Sequence, residues 1–145
     1  SNSFWASPFE IGDEFGGKEF ILPKNIFTEY RRGDDARKDT FSIDNTTIAI
    51  VATDLDLSKV ELKRISVAAH DGMSRAILPS HTPYDGDLIF AASTGRKKIK
   101  IEPSDIYNIG NAAAICLSRA IARGVYEAKS ENNDLLPTWQ DIENL

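Results

Sequence analysis

The sequence predicts an α/β fold with helices packed on a sheet. Three observations carry that expectation: a β-branched apolar run at 47–53, a second apolar run at 88–92, and between them a stretch whose apolar residues recur at helical period. Thr47 to Thr53 is apolar or small on both of its faces, so it predicts a fully buried strand. Ser58-Lys59-Val60-Glu61 then has the form of a capping box, in which the serine oxygen accepts from an orphan N–H and the glutamate reaches back. In the helix that follows, Leu62, Ile65, Ala68, Ala69, Gly72, Met73 and Ala76 fall on one arc, whose small members let it lie close to a sheet. His70 and Asp71 fall off that arc, so His70 is expected exposed or lightly packed, with Met73 filling core.

Leu88 to Ala92 reads as a second buried strand, Thr94-Gly95 as a turn, and Lys97 to Ile101 as a third, half-solvated strand. Pro103-Ser104-Asp105 opens a second helix, with Ser104 at the N-cap and Asp105 near the positive end of the dipole. Its core arc holds Ile106, Ile109, Ala113, Cys116, Leu117, Ala120 and Ile121, and the opposite side holds Asn111, Ile115, Ala122 and Tyr126. Arg119 is the only charge between Ile106 and Ala122, so both sides are expected to be covered, and Gly110 and Ala114 would permit a close helix approach at an interface. Residues 1–23 carry Phe4, Trp5, Phe9, Phe15 and Phe20, aromatic loop segments that need covering. Residues 24–44 turn polar, with Tyr30 to Lys38 reading as a mobile surface loop, and Pro137-Thr138-Trp139 marks a tail whose tryptophan docks on a neighbour.

With 145 residues, 41% hydrophobic and 27% charged, the chain suffices for one domain. A net charge of -5 argues against nucleic acid, because neutralising phosphates needs a basic face. One cysteine, Cys116, cannot form an internal disulfide, and no charged-then-apolar leader opens the chain, so the expected location is cytoplasmic. The longest apolar candidate, Ile109 to Ile121, is broken by Asn111 and Arg119, which predicts no membrane span. Two histidines and one cysteine with no close pairing predict no zinc site, and no cofactor is required.

Two motifs carry chemistry. Thr46 stands at the head of an apolar strand after a polar loop, where its hydroxyl could attack the Asn45 carbonyl and leave Thr46 as a new N-terminal residue. Its freed α-amine would then be its base. The plain alternative is a loop entering a strand, since asparagine favours turns and threonine favours strands. Asp85-Gly86-Asp87 puts two carboxylates at the mouth of the second strand, where the plain alternative is a turn using the positive φ that Asp-Gly supplies. A calcium loop starting at Asp85 would need a glutamate where Arg96 stands.

The Asn-Thr-Thr strand, the helix ending in Ala-His-Asp-Gly-Met-Ser-Arg-Ala-Ile and the Asp-Gly-Asp strand together resemble the self-cleaving aminopeptidases and oligomer amidases of the DmpA type. The resemblance runs from about Phe4 to Ile121, takes in Phe4-Trp5-Ala6-Ser7-Pro8-Phe9-Glu10 and Glu14-Phe15-Gly16-Gly17, and looks closest to the nylon-oligomer branch. It implies that Thr46 corresponds to the nucleophile, Asn45 to the residue whose carbonyl is attacked, and Asp85 and Asp87 to two active-site acids. The aminopeptidase branch uses a serine nucleophile and lacks aspartate at the first acid position, so Thr46 with two aspartates points to the nylon-oligomer side. The resemblance further implies a layered αββα sandwich of the DmpA and ornithine acetyltransferase type, of which this chain supplies the C-terminal part. Residues 1–45 would end the α-subunit-like region, and residues 46–145 would form the β-subunit-like nucleophile region. An upstream α-subunit-like polypeptide would then supply the oxyanion asparagine and a lysine or tyrosine. The α/β protomers would assemble into a homo-oligomer, commonly a tetramer, acting on a small peptide or amide. Two alternatives stand beside this: an acyl transferase like the ornithine acetyltransferases, and a non-catalytic subunit lacking the upstream oxyanion residues.

Overall fold

A computed structural model describes residues 3–22, 46–83, 85–134 and 137–143; Asn45 and the polar stretch 24–44 lie outside the described residues. A 3-10 turn, Ser7–Phe9, precedes strand β1 (Ile48–Leu55), helix α1 (Lys59–Ser74), strand β2 (Leu88–Lys97), helix α2 (Pro103–Tyr126) and the short helix α3 (Trp139–Glu143). Because β1 and β2 run parallel, the chain needs a crossover between them, and α1 provides it. Ser58 begins α1 as its sequence predicts. The serine oxygen accepts the Glu61 N–H at 3.3 Å and the Glu61 carboxylate accepts the Ser58 N–H at 2.7 Å.

Register runs from Ile48 opposite Leu88 to Thr53 opposite Ser93, so alternate side chains of the two strands share a face. One face carries Ala49, Val51 and Ile89, which pack on Leu57 from the connection to α1 and on Ile65, Ala69, Met73, Ala113 and Leu117 from the helix layer. Met73 is wholly enclosed there, and burying a side chain of its size contributes about 2 kcal/mol. Among the described residues neither strand is covered on its other face: Ile48 is 69%, Ile50 65%, Leu88 45% and Phe90 54% exposed. The expectation of strands buried on both faces therefore holds for one face only.

Lys97 to Ile101 does not form a third strand. The turn expected at Thr94-Gly95 is instead absorbed as an irregularity within β2, where Gly95 has φ +63° and the partner of Leu55 becomes Lys97. Ser93 makes this possible: its hydroxyl donates to the Leu55 carbonyl and accepts from the Leu57 and Gly95 N–H groups at 3.4 and 3.2 Å. One side chain thus replaces the ladder bonds that the extra residues remove.

Helix α2 starts two residues earlier than its sequence suggests, with Glu102 rather than Ser104 at the N-cap. Pro103 fits the first helical turn because its missing N–H would have no partner there, and the Asp105 carboxylate reaches back to the Glu102 N–H at 2.8 Å. The buried side of α2 also differs. Gly110, Ala113, Ala114, Leu117, Ser118 and Ala122 are buried, whereas Cys116 and Ala120, expected in the core, are exposed. The cause is a seam of small residues between α1 and α2. A Cβ added to Gly72 would lie 2.1 Å from the Ala114 carbonyl oxygen, and one added to Gly110 would lie 3.1 Å from the Ala68 Cβ. The close approach that Gly110 and Ala114 permit is therefore made by a helix of the same chain.

The N-terminal aromatics are likewise covered from within. Phe4 meets Phe15, Tyr126 and Trp139 at ring-centre distances of 5.5, 6.4 and 4.2 Å, so the C-terminal tryptophan docks on this chain rather than on a neighbour. Trp5 pairs with Phe20 at 5.5 Å, and Arg75 lies over the Phe9 ring at 5.1 Å. Glu14 fastens this segment to α2, because the Arg119 guanidinium donates to its carboxylate through Nε and, at 3.0 Å, through Nη2.

Gly72→Ala should lower the unfolding free energy by about 3 kcal/mol, since backbone on the far side leaves nothing that can rotate away. Gly124→Ala, where nothing lies within 4 Å, should instead raise it by up to about 1 kcal/mol through helix propensity. Urea unfolding followed by circular dichroism compares the two, and equal effects would remove the seam from the account.

The Arg119 hydrogen bond holds the Glu14 carboxyl below its usual value of 4.5. A depressed folded-state pKa stabilises the fold above the unfolded value, and that contribution is lost as pH falls through the folded one. Glu14→Gln should therefore melt lower than the wild type at pH 7, with the gap closing as pH drops below 4.5. A gap independent of pH in thermal melts would show that Glu14 acts by packing alone.

Candidate active site

Parallel pairing brings the amino ends of β1 and β2 together, and the residues singled out in sequence lie just before each strand. Leu88 N–H donates to the Thr47 carbonyl at 2.9 Å, which continues the ladder backward and sets Thr46 beside Gly86. A Cβ on Gly86 would lie 2.7 Å from Thr46 Oγ1 and 3.4 Å from its Cγ2. Gly86 is not among the residues with positive φ, so glycine is required here by the approach of the threonine side chain and not by a turn. Thr46 itself is exposed. Open α/β sheets usually take ligands at the carboxyl ends of their strands. Here the candidate residues collect at the opposite end.

Asp87 is 6% exposed at its side chain and divides its two oxygens between two segments. Oδ1 accepts the Thr47 N–H at 3.0 Å, while Oδ2 accepts the His81 N–H at 2.9 Å and lies 3.3 Å from His81 Nδ1. Burying a carboxylate is costly unless it is hydrogen-bonded, and these donors meet that requirement. Asp85 turns toward its own loop: its Oδ2 accepts the Thr82 N–H at 2.8 Å and its N–H donates to the Thr82 carbonyl at 3.0 Å. The fold therefore brings Thr46 and Asp87 to one place, joined through the peptide that links Thr46 to Thr47, and ties Asp85 to Thr82.

Sequence reasoning left out His81 and read Gly86 as a turn residue. No period marks His81, because its backbone is left-handed with φ +56° and its role depends on a strand that begins seven residues later. His70 is half-buried as expected, its Nδ1 lying 2.8 Å from the Ser66 carbonyl and its ring 5.0 Å from that of His81. Among the described residues no group of three or more His, Cys, Asp and Glu could hold a metal ion, and no helix is long and apolar enough to cross a membrane.

A strand-helix-strand unit with a threonine and a carboxylate at the amino ends of its strands defines a class that comparison with known proteins makes specific. Residues 14–134 match the model of peptidase family S58, and the chain belongs to that family. It is 40% identical over 108 residues to an uncharacterized aminopeptidase of Mycobacterium tuberculosis, a match covering 68% of this chain and 31% of that protein. An uncharacterized aminopeptidase of Mycobacterium leprae is also 40% identical, over 103 residues, or 64% of this chain and 28% of that protein. The 6-aminohexanoate-oligomer endohydrolase of Paenarthrobacter ureafaciens is 39% identical over 59 residues, covering 41% of this chain and 17% of that enzyme. The chain thus spans under a third of the length of the curated relatives it matches. The DmpA-type resemblance read from the motifs is borne out at the level of the family.

Asp87→Asn tests the two-oxygen arrangement. An amide accepts through only one of its two terminal atoms, so either the Thr47 or the His81 N–H would face another donor. The expected loss is about 1–3 kcal/mol of stability in denaturant unfolding. Unchanged stability would mean that Asp87 is not anchored by both segments.

Proposed function

We propose that this chain is the nucleophile-bearing part of a self-processing amide hydrolase in which Thr46 becomes the N-terminal residue. The observation that carries this reading is the Thr46 hydroxyl lying over Gly86, with the next peptide held by the buried Asp87 carboxylate. In the first step Thr46 Oγ attacks the Asn45 carbonyl carbon, the peptide nitrogen leaves as the Thr46 amine, and an ester joins the two residues. Water then cleaves the ester, leaving an Asn45 carboxylate and a free Thr46. An α-amine with an ordinary pKa of about 8 can take the hydroxyl proton when the same oxygen attacks a substrate amide. The acyl group passes to Thr46 Oγ, the substrate's amine departs with the proton, and a second water releases the acid. Asp87 fixes the angle at which the threonine is presented, and Asp85 serves as the second acid through the loop it closes with Thr82.

Oxyanion donors come, on this reading, from an upstream α-subunit-like polypeptide, which accounts for the bare face of Ile48, Ile50, Leu88 and Phe90. A second sheet stacked about 10 Å away would bury that face and complete an αββα sandwich. The resulting α/β protomers assemble further, and the substrate is a small peptide or amide. Relatives named as aminopeptidases and as a 6-aminohexanoate-oligomer endohydrolase support that substrate class.

Intact-mass measurement on the complete natural polypeptide carrying this chain is the direct test. The wild type is expected in two pieces divided between Asn45 and Thr46, and Thr46→Ala in one. A fragment beginning at Thr47, or cleavage that persists in Thr46→Ala, would sink the assignment. Gly86→Ala, whose new methyl needs the space of the Thr46 hydroxyl, should slow both self-cleavage and turnover on the order of 100-fold.

A further inference from the structure

We propose that His81 is a positioning residue for the nucleophile, holding Asp87 from two of its own atoms so that Asp87 in turn fixes the peptide following Thr46. The inference rests on the reading of Thr46 as nucleophile and extends it to a residue that the reaction scheme does not use. Its basis is geometric. The His81 backbone N–H lies 2.9 Å from Asp87 Oδ2 and its ring Nδ1 lies 3.3 Å from the same oxygen. Main chain and side chain of one residue reach one oxygen together with His81 at φ +56°, a left-handed conformation that side chains other than those of Asn, Asp and His seldom adopt. The opposite ring nitrogen, Nε2, faces the His70 carbonyl oxygen at 3.5 Å, so the ring is lodged between Asp87 and α1.

The consequence is a relay of position. Asp87 has two oxygens, and once His81 engages Oδ2, Oδ1 is left to receive the Thr47 N–H at 3.0 Å. That bond sets the plane of the peptide between Thr46 and Thr47, and so the direction of the Thr46 hydroxyl over Gly86. A misplacement of about 1 Å at a reacting group costs on the order of 100-fold in rate, which is the size of effect expected when the anchor is lost.

His81→Asn and His81→Asp separate position from bulk. Both replacements tolerate a left-handed backbone and are equal in size, but the amide can donate to Asp87 from its δ nitrogen whereas the carboxylate repels it. The complete natural polypeptide would be assayed for kcat and KM with L-alanine p-nitroanilide and a linear 6-aminohexanoate oligomer, and for self-cleavage by intact mass. His81→Asp is expected to lower kcat and the self-cleavage rate on the order of 100-fold with KM within about threefold of wild type, and His81→Asn to run at least about tenfold faster than His81→Asp. Should thermal melts show that His81→Asp does not fold, His81→Gly, which keeps the backbone conformation and deletes the ring, takes its place with the same expected deficit against His81→Asn. Wild-type kcat in His81→Asp, or in His81→Gly where it stands in, overturns the proposal, as does an asparagine variant no faster than its counterpart. Thr46→Ala run alongside keeps the two readings apart: activity surviving there overturns the nucleophile assignment itself, while an inert Thr46→Ala beside a fully active His81→Asp overturns the role of His81 alone.

Discussion

Contact between backbones at Gly72 and Ala114 is the constraint on which the arrangement of this chain depends. With no Cβ at Gly72, α1 and α2 close until the carbonyl of one helix occupies the space a methyl would need on the other, and the seam continues through Ala68 and Gly110. A crossover helix locked to its neighbour this tightly cannot roll, so Ile65, Ala69 and Met73 face the sheet and β2 is delivered parallel to β1. Interiors packed at crystal-like density respond poorly to even one added methylene. The strand ends that carry Thr46 and Asp87 are thereby placed by the packing of the helix layer.

At those strand ends polar chemistry takes over from packing. Asp87 is nearly enclosed and is kept in place by donors from two separate segments, one from the start of β1 and one from the loop after α1. A carboxylate so held costs little to bury because its lone pairs are occupied by N–H groups that would otherwise need partners of their own. The threonine beside it remains open to solvent. An exposed hydroxyl beside an enclosed anchor engaged at both oxygens is the geometry on which the proposed role of Thr46 rests.

Membership of peptidase family S58 and the geometry of the sheet bear on each other. The chain covers under a third of the relatives' length, and its two strands leave a contiguous apolar face of isoleucine, leucine and phenylalanine uncovered by any described residue. Patches of this kind mark surfaces meant to be covered. The N-terminal aromatics, by contrast, are sheltered by α2, α3 and one another.

Much was legible before any coordinates because local physics decides it: the capping box at Ser58 and Glu61, the apolar arc of α1 and the strand runs at the two ends of the crossover each follow from short-range period and bonding capacity. The motif around Thr46, the end of α1, the Asp-Gly-Asp run and the Phe4 and Glu14 segments, taken together, likewise carried the resemblance to the family. Tertiary structure alone decided which face of α2 is buried, because Cys116 and Ala120 fit a helical arc as well as Gly110 and Ala114 do, and only the position of α1 separates them. It also decided that β2 runs on past Gly95, since Ser93 repairs a ladder whose other half lies 38 residues away. The same holds for Gly86 and His81: one is shaped by a side chain that parallel pairing brings across from β1, the other by a carboxylate on a strand not yet begun, and neither contact leaves a period or a spacing in the sequence from which it could be read.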